Sequence, residues 1–539
     1  MNKRFVIYVP LLLSVALVTG LFIGNSLNRN SQAVFNLSRL NQGNKLSSII
    51  ELIQTAYVDS VNTKEIVEKT IPDLLKNLDP HTSYIPASDM QEVEEEMHGN
   101  FSGIGVQFSI QEDTVMVVDV ISGGPSHKLG ILAGDRIVTV NDSVIAGVNI
   151  RNEQVLKLLR GEKGTKVKVG IQRKGFPKLF DFEITRGDIP IYSVDVSYMI
   201  DNETGFIKVS RFAEQTYEEF MAGMEKLDKA GAQKVIVDLR GNPGGYLMAV
   251  IRMVDEFLQK GEPILFTQGK FQPKKIYNAT ARDTWDNKKV FVLIDEFSAS
   301  ASEIFAGALQ DNDRAIVIGR RSFGKGLVQE QIPFSDGSAI RLTVARYYTP
   351  SGRSIQKPYD EGTDKYYEDL YNRMAHGEFE VADSIQFNDS LKYHTKSGRI
   401  VYGGGGIMPD IFVPADTSGR SEYFINIYQK GLVYQYAFQY ADQHRTQLNS
   451  LKSAREIEQY LERQNVLGDF VRYAAAKGVA PDNKGLNESR VIIHTQLKAY
   501  IARNILGEEG FYPIIQQIDK TLLKAIEVSH QNLLVENLK

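Results

Sequence analysis

Two side chains 25 positions apart can between them carry out acyl transfer: Ser300, in the run Ser298-Ala299-Ser300-Ala301-Ser302, and Lys325, in Gly324-Lys325-Gly326. A serine hydroxyl becomes a good nucleophile when a base takes its proton. A lysine amine is a base only when neutral, a state favoured by burial among apolar groups. The apolar run 290–294 leads into the serine turn, and an amphipathic stretch with Ile304, Ala308 and Leu309 on one face follows it. At such a strand-to-helix turn, backbone N–H groups can stabilise an oxyanion. Taken alone, the pattern has ordinary alternatives. Serine-rich turns cap helices, and lysines in glycine-rich loops are usually solvated.

Other chemistries overlap the same lysine. Residues 319–326, GRRSFGKG, carry a GxxxxGK phosphate-loop skeleton, but Gly326 stands where magnesium binding needs Ser or Thr. Ser322 to Lys325 also fits SxxK, an arrangement that needs a helix which Gly324 and Gly326 oppose, and no KTG box accompanies it. There is no HExxH, no GxSxG and no cysteine. No metal and no cofactor is expected, and disulfides and a cysteine nucleophile are excluded.

The elements that must position these residues belong to a chain of 539 residues, long enough for several cores. Its net charge of −4, without a basic run, gives no sign of nucleic-acid binding. Lys3 and Arg4 precede an uncharged stretch, 5–24, and an uncleaved membrane anchor is expected there over a cleaved signal peptide. A polar linker, 25–44, follows, then a helical region at 45–97. His81, in the turn 79–84, reads as structural. Strand and turn signals dominate 98–188. With GIGV (103–106) and SGGPSHKLGILAGDRIVTVND (122–142) this segment resembles a PDZ domain, which implies that the successive amides of Gly103, Ile104, Gly105 and Val106 capture a terminal carboxylate while a peptide adds to a sheet edge, with 155–159 as the groove helix. From 189, strands alternate with helices, which implies a sheet covered on both faces. A hairpin at Asp336-Gly337 and a strand over 339–348 follow. Residues 358–399 are polar, with a helix expected around 366–374, and 421–539 reads as largely helical.

SASASEIFAGALQD with FGKGLVQ, LRGNPGG (239–245), YYTPSGRSIQ and GGGGIMPDIFV together resemble the carboxy-terminal processing peptidases, tail-specific serine proteases with a Ser/Lys dyad. The resemblance implies Ser300 as nucleophile, Lys325 as general base and Gln329 as the residue orienting the lysine. It implies an oxyanion hole from the amides of Ala301 and Gly244, or its neighbour Gly245, with Asp311 as a supporting acidic residue. It also makes 98–188 a PDZ domain, with Arg160 a candidate link to the core. The fold expected is multidomain α+β. It has a crotonase/ClpP-like core (189–357, resumed at 400–420), an inserted PDZ domain, a polar insertion (358–399) and helical N- and C-terminal regions. The partners expected are proteins with free C-termini, an activating adaptor, the inner membrane through the segment 1–24, and a second copy through the C-terminal helices. The location expected is the periplasmic side of a bacterial cell envelope. The alternative is a catalytically silent PDZ scaffold or adaptor at the membrane.

Overall fold

The structure, a computed structural model, describes residues 14–20, 45–121, 123–282, 284–385 and 388–531. The expected anchor (1–24) therefore lies outside the described residues except for 14–20, which are helical, and the linker (25–44) lies wholly outside them. Among the described residues no helix is long and apolar enough to cross a membrane. The chain divides into two compact units, 1–78 and 79–539. The first contains the helices Lys45–Ala56 and Thr63–Leu75, the second started by Asn62, whose side chain accepts Glu65 N–H at 3.3 Å.

The second unit is built on a six-stranded sheet. Its spatial order is also its chain order: Val194–Met199, Thr204–Val209, Lys234–Asp238, Lys289–Ile294, Ala315–Gly319 and Ile411–Phe412. The first pair is antiparallel and all others are parallel. Strands buried on both faces read as continuous apolar runs, and Lys234–Asp238, Lys289–Ile294 and Ala315–Gly319 do between their ends. The pleat then sorts each run into two cores. Val235, Val237, Val290, Val292, Ile294 and Val317 meet the helices Thr216–Lys229, Leu247–Asp255 and Ala301–Asp311. Phe220, Phe257 and Phe305 pack there edge to face, with ring centroids 5.9–6.3 Å apart. On the other face Ile236, Phe291, Leu293, Ile316 and Ile318 meet Leu522, Ala525 and Val528 of the helix Lys520–His530. The last helix of the described chain is thus part of the sheet's own packing.

A second sheet carries the hairpin Leu327–Pro333/Ala339–Tyr348, turned at Gly337 (φ 88°), with Ser83–Ile85 on the hairpin's far side. A third module hangs on a two-stranded stalk, Asn100–Gly103 paired with Gly187–Pro190. Because both chain connections run through that stalk, the module is an insertion. Its sheet runs Val106–Gln111, Thr114–Val120, Arg136–Val140, Lys166–Gln172 and Phe180–Thr185, with Val155 and Leu159 of the helix Asn152–Leu159 in its core. The architecture is multidomain α+β, as the sequence patterns require.

The C-terminal helices form their own core around the 24-residue helix Asn483–Leu506. They touch the inserted module where Asp442 meets Arg136 at 3.6 Å and Lys174 at 3.7 Å. They touch the main sheet through Arg240, whose guanidinium lies between Asp238 (Nη2 to Oδ2, 2.6 Å) and Asp519 (Nη1 to Oδ1, 2.8 Å; Nη2 to Oδ2, 2.6 Å). The 358–399 insertion contains the helix Thr363–Ala375 and the strand Lys392–His394, which pairs with Ile400–Tyr402 just beyond it.

The packing of the last helix has a direct test. Leu522 is 1% exposed against the sheet, whereas its neighbour Leu523 is 46% exposed. Leu522→Ala is expected to lower the stability of the second unit by about 2–4 kcal/mol, and Leu523→Ala by less than about 1 kcal/mol, read as shifts in the thermal unfolding midpoint. Equal shifts for the two variants would mean that the helix does not cover the sheet.

Candidate active site

The strand Lys289–Ile294 ends in a turn whose three serines do different work. Ser298 Oγ donates to Leu239 O at 2.9 Å and Ser302 Oγ donates to Asn242 O at 2.9 Å. Both fasten the turn to the loop 239–245. Ser300, between them, adopts φ 53°, ψ −111°, a region unfavourable for a residue with a Cβ. It lines a cavity of about 300 Å³. Lys325 lines the same cavity. The structure thus brings together the two residues singled out by their chemistry.

One buried carboxylate holds them there. Glu303 Oε2 accepts Ser300 N–H and Lys325 N–H, each at 2.8 Å, while Oε1 accepts Gly324 N–H at 2.7 Å and Ser322 Oγ–H at 2.5 Å. Tyr347 OH adds a second tie, reaching Ser300 O at 3.2 Å and Lys325 O at 3.0 Å. Burial pushes the Glu303 carboxyl up to about 7 against the pull of its four donors. Glu303 was not among the residues expected from sequence, although the S-x-x-E spacing from Ser300 is the signature of a capping box. Ser322, the alternative SxxK nucleophile, is fully buried and committed to Glu303 and to Ile407 N–H.

Lys325 Nζ donates to Gln329 Oε1 at 3.2 Å. Burial lowers the lysine pKa, and the nearby Arg341 charge lowers it further; Glu303 and Asp79 oppose them. The amine is therefore biased towards its neutral form. His81 lies behind it with Nε2 2.9 Å from Tyr366 OH, and burial with the Lys325 charge brings its pKa down to about 4. It is a neutral packing residue, in keeping with the structural role expected for it.

The loop 239–245 requires one correction. Gly244 N–H donates to Asn242 Oδ1 at 2.9 Å and is not free for an oxyanion. The N–H groups of Gly245 and Ala301 have no acceptor among the described residues. Gly244 matters for its missing Cβ: at φ 100°, a methyl there would lie 2.7 Å from Ser300 Cβ and 2.9 Å from Ala301 N. Asp311 does not join the pair either. Its carboxylate is buried against Arg353 (2.8 Å) and accepts Ser351 Oγ–H (2.6 Å), which anchors the loop 349–354.

In the inserted module, Gly103 ends the stalk strand, Ile104 is buried in the core, and Val106 begins the strand Val106–Gln111. That strand is the outer edge of its sheet, so one row of its backbone groups is open to an added strand. Gly105 has φ 77°, and a Cβ there would lie 3.0 Å from Ile189 Cδ1. The Arg160 guanidinium stacks on Phe101 of the stalk, 4.6 Å from the ring centroid. The helix Thr363–Ala375 braces the lysine loop from outside. Arg373 donates to Arg321 O at 2.7 Å and Ser322 O at 3.1 Å, and Lys357 sits 4.2 Å from both the Phe323 and Tyr366 rings.

Comparison with known proteins bears on this site. Residues 203–364 match the model of peptidase family S41, residues 102–184 that of the PDZ domain, and residues 423–507 a family of unknown function. The chain is 38% identical over 347 residues to the carboxy-terminal-processing protease of Bartonella bacilliformis, which covers 63% of this chain and 79% of that one. It is 35% identical over 319 residues to the carboxy-terminal processing protease CtpB of Bacillus subtilis, covering 58% of this chain and 65% of that one. Among solved structures, the photosystem II D1 C-terminal processing protease aligns with 26% identity and a TM-score of 0.33, over 57% of this chain and 89% of that one.

The electrostatics set a pH profile. Glu303 accepts four hydrogen bonds only when ionised, and Lys325 accepts a proton only when neutral. Both conditions improve as pH rises, while His81 has already lost its proton. As pH falls through about 7, protonation of Glu303 is expected to add one unit to the slope of the logarithm of kcat/KM against pH. Glu303→Gln, which must turn an amide N–H2 towards the two donors that share one carboxylate oxygen, is expected to remove that added unit and cost about 10–100-fold in kcat/KM. A wild-type slope of 1 throughout would remove the Glu303 charge from the requirement.

Proposed function

Since the chain belongs to peptidase family S41, among the carboxy-terminal-processing proteases, it is a serine endopeptidase, and we propose that Ser300 and Lys325 are the dyad with which it cuts protein tails. Neutral Lys325 Nζ takes the Ser300 hydroxyl proton as Oγ attacks the scissile carbonyl. It then returns that proton to the leaving amine. Water next attacks the acyl-enzyme, again through the amine, and regenerates the hydroxyl. The amides of Gly245 and Ala301 receive the oxyanion, a contribution of about 3–4 kcal/mol per donor in comparable enzymes. Gln329 holds the amine on station. Asp311 supports only indirectly, through the loop that Arg353 and Ser351 belong to.

The observation that carries this reading is the lysine amine, biased to its neutral form and held by Gln329, in one cavity with the strained serine. A silent scaffold would have no use for that arrangement. The PDZ module supplies recognition: the free edge of Val106–Gln111 takes a tail as an added strand, and the amides of Gly103, Ile104, Gly105 and Val106 take its terminal carboxylate. A crotonase/ClpP-like core is supported by the largely parallel sheet with helices on both faces. The boundaries 45–97, 98–188, 189–357, 358–399, 400–420 and 421–539 remain our division of the chain. The uncharged stretch 5–24 supports an anchor in the inner membrane that leaves the rest on the periplasmic side of the envelope. An activating adaptor and a second copy of the chain are further proposed partners.

The lysine role separates cleanly from charge. Lys325→Arg keeps a cation that cannot be deprotonated at physiological pH. It is expected to lose kcat/KM for an apolar-tailed peptide as completely as Ser300→Ala, by more than about 10³-fold, while Ser300→Ala still binds the same peptide in a fluorescence-anisotropy titration. An Arg variant that stays within tenfold of wild type would refute the general-base assignment.

A further inference from the structure

One end of the cavity holds a charged group that the chemistry above does not use. Arg341 lines it from the strand Ala339–Tyr348, directly opposite Gln331 in the hairpin register. One pleat along, Gln329, which holds the lysine amine, faces Thr343. Side chains two residues apart on one face of a strand stand about 7 Å from each other. The Arg341–Gln331 pair is therefore rooted a single substrate-residue step or two from the reacting atoms.

Four other arginines around the core are committed to carboxylates: Arg320 to Glu296, Arg321 and Arg373 to Glu378, and Arg353 to Asp311. Among the described residues Arg341 has no carboxylate partner. Its side chain donates one long hydrogen bond, Nη2 to Gln331 Oε1 at 3.4 Å. A half-buried guanidinium beside a carboxamide, open to a cavity and close enough to Lys325 to disfavour the lysine's charge, is matched by a planar anion that can take two parallel N–H bonds. The apolar part of the lining, with Met97, Leu247 and Ile304, offers that anion nothing.

We propose that Arg341, with Gln331 beside it, is a carboxylate-binding subsite of the substrate groove, which takes the terminal carboxylate of a tail or an Asp or Glu side chain within about two residues of the bond that Ser300 attacks. The inference rests on the proteolytic reading and adds a second reader of negative charge to the one in the PDZ module. The two act at different ranges. The PDZ module selects the chain, and Arg341 fixes the register of the cut.

The test uses the full-length chain and four matched fluorogenic peptides: one ending as free acid, its amide, and amides with Asp or Asn as the penultimate residue. The wild type is expected to favour one charged member over its neutral partner by about 10–100-fold in kcat/KM. Arg341→Met is expected to bring that ratio to about 1, with part of it restored in Arg341→Lys. A collapse confined to the acid/amide pair identifies the terminal carboxylate as ligand, and one confined to Asp/Asn identifies the side chain. A preference that persists unchanged in Arg341→Met belongs to the PDZ module and overturns the subsite. As a check that needs no variant, N-acetylated apolar dipeptides should inhibit the wild type competitively, the acid about tenfold more tightly than the amide, and equal inhibition counts against the subsite. Cleavage indifferent to charge sinks the subsite and leaves the peptidase standing, whereas a wild type that cuts none of the four sinks both.

Discussion

A single carboxylate inside the protein fixes the distance between the proposed nucleophile and its proposed base. The turn bearing Ser300 and the loop bearing Lys325 belong to different parts of the chain, and neither has a backbone conformation that would persist alone. Ser300 sits at a positive φ, and the loop 320–326 has no ladder of its own until its last residues enter the hairpin. Four donors converge on Glu303 from both segments. An unsatisfied buried carboxylate would be costly, so the charge is tolerable only when all four arrive together. Desolvation, which makes the carboxylate expensive, also works at the lysine amine, where it favours the neutral form. The same burial therefore destabilises two charges, and only the carboxylate has four donors to offset it.

The rest of the second unit keeps that pocket in register. Strand ends on the parallel sheet bring the loops 239–245, 295–300 and 320–326 to one edge, and the helices on the first face are continuous with the serine turn. The second face is closed by a helix that lies outside the segment matching the peptidase family model. Through Asp519, the N-cap of that helix, the closure reaches Arg240 at the base of the loop 239–245. The insertion helix Thr363–Ala375 plays the equivalent part for the lysine loop, through Arg373 and the Tyr366 ring. Two pieces of chain added around a shared core thus each lean on one arm of the site.

Much of the site was legible in the residues themselves. The serine turn and the Gly-flanked lysine stand out by residue type and Gln329 only through the family resemblance, and all three line one cavity. The hairpin at Asp336-Gly337 and the strand after it follow from turn chemistry and alternation. What escaped was set by partners far away or by fine geometry. Two adjacent glycines look alike, and only the structure shows that Asn242 has already taken the Gly244 amide. Asp311 looks like a candidate for the site until Arg353, 42 residues on, is found beside it. Glu303 carried a readable capping spacing, but a capping box says only that a helix begins, not that its carboxylate spans two loops. The polar composition of 358–399 gave no hint that Tyr366 and Arg373 would be buried. Helical periodicity in 421–539 identified helices without saying what they would cover.

The Arg240–Asp519 pair also imposes an order in time. Asp519 is made 279 residues after Arg240, which at about 5–20 residues per second is a lag of tens of seconds. Until Asp519 and the helix after it are made, Phe206, Ile236, Phe291 and Leu293 lack the helix that covers them and the loop beside the serine lacks its brace. The second face of the sheet is therefore closed by nearly the last residues of the described chain to be synthesised.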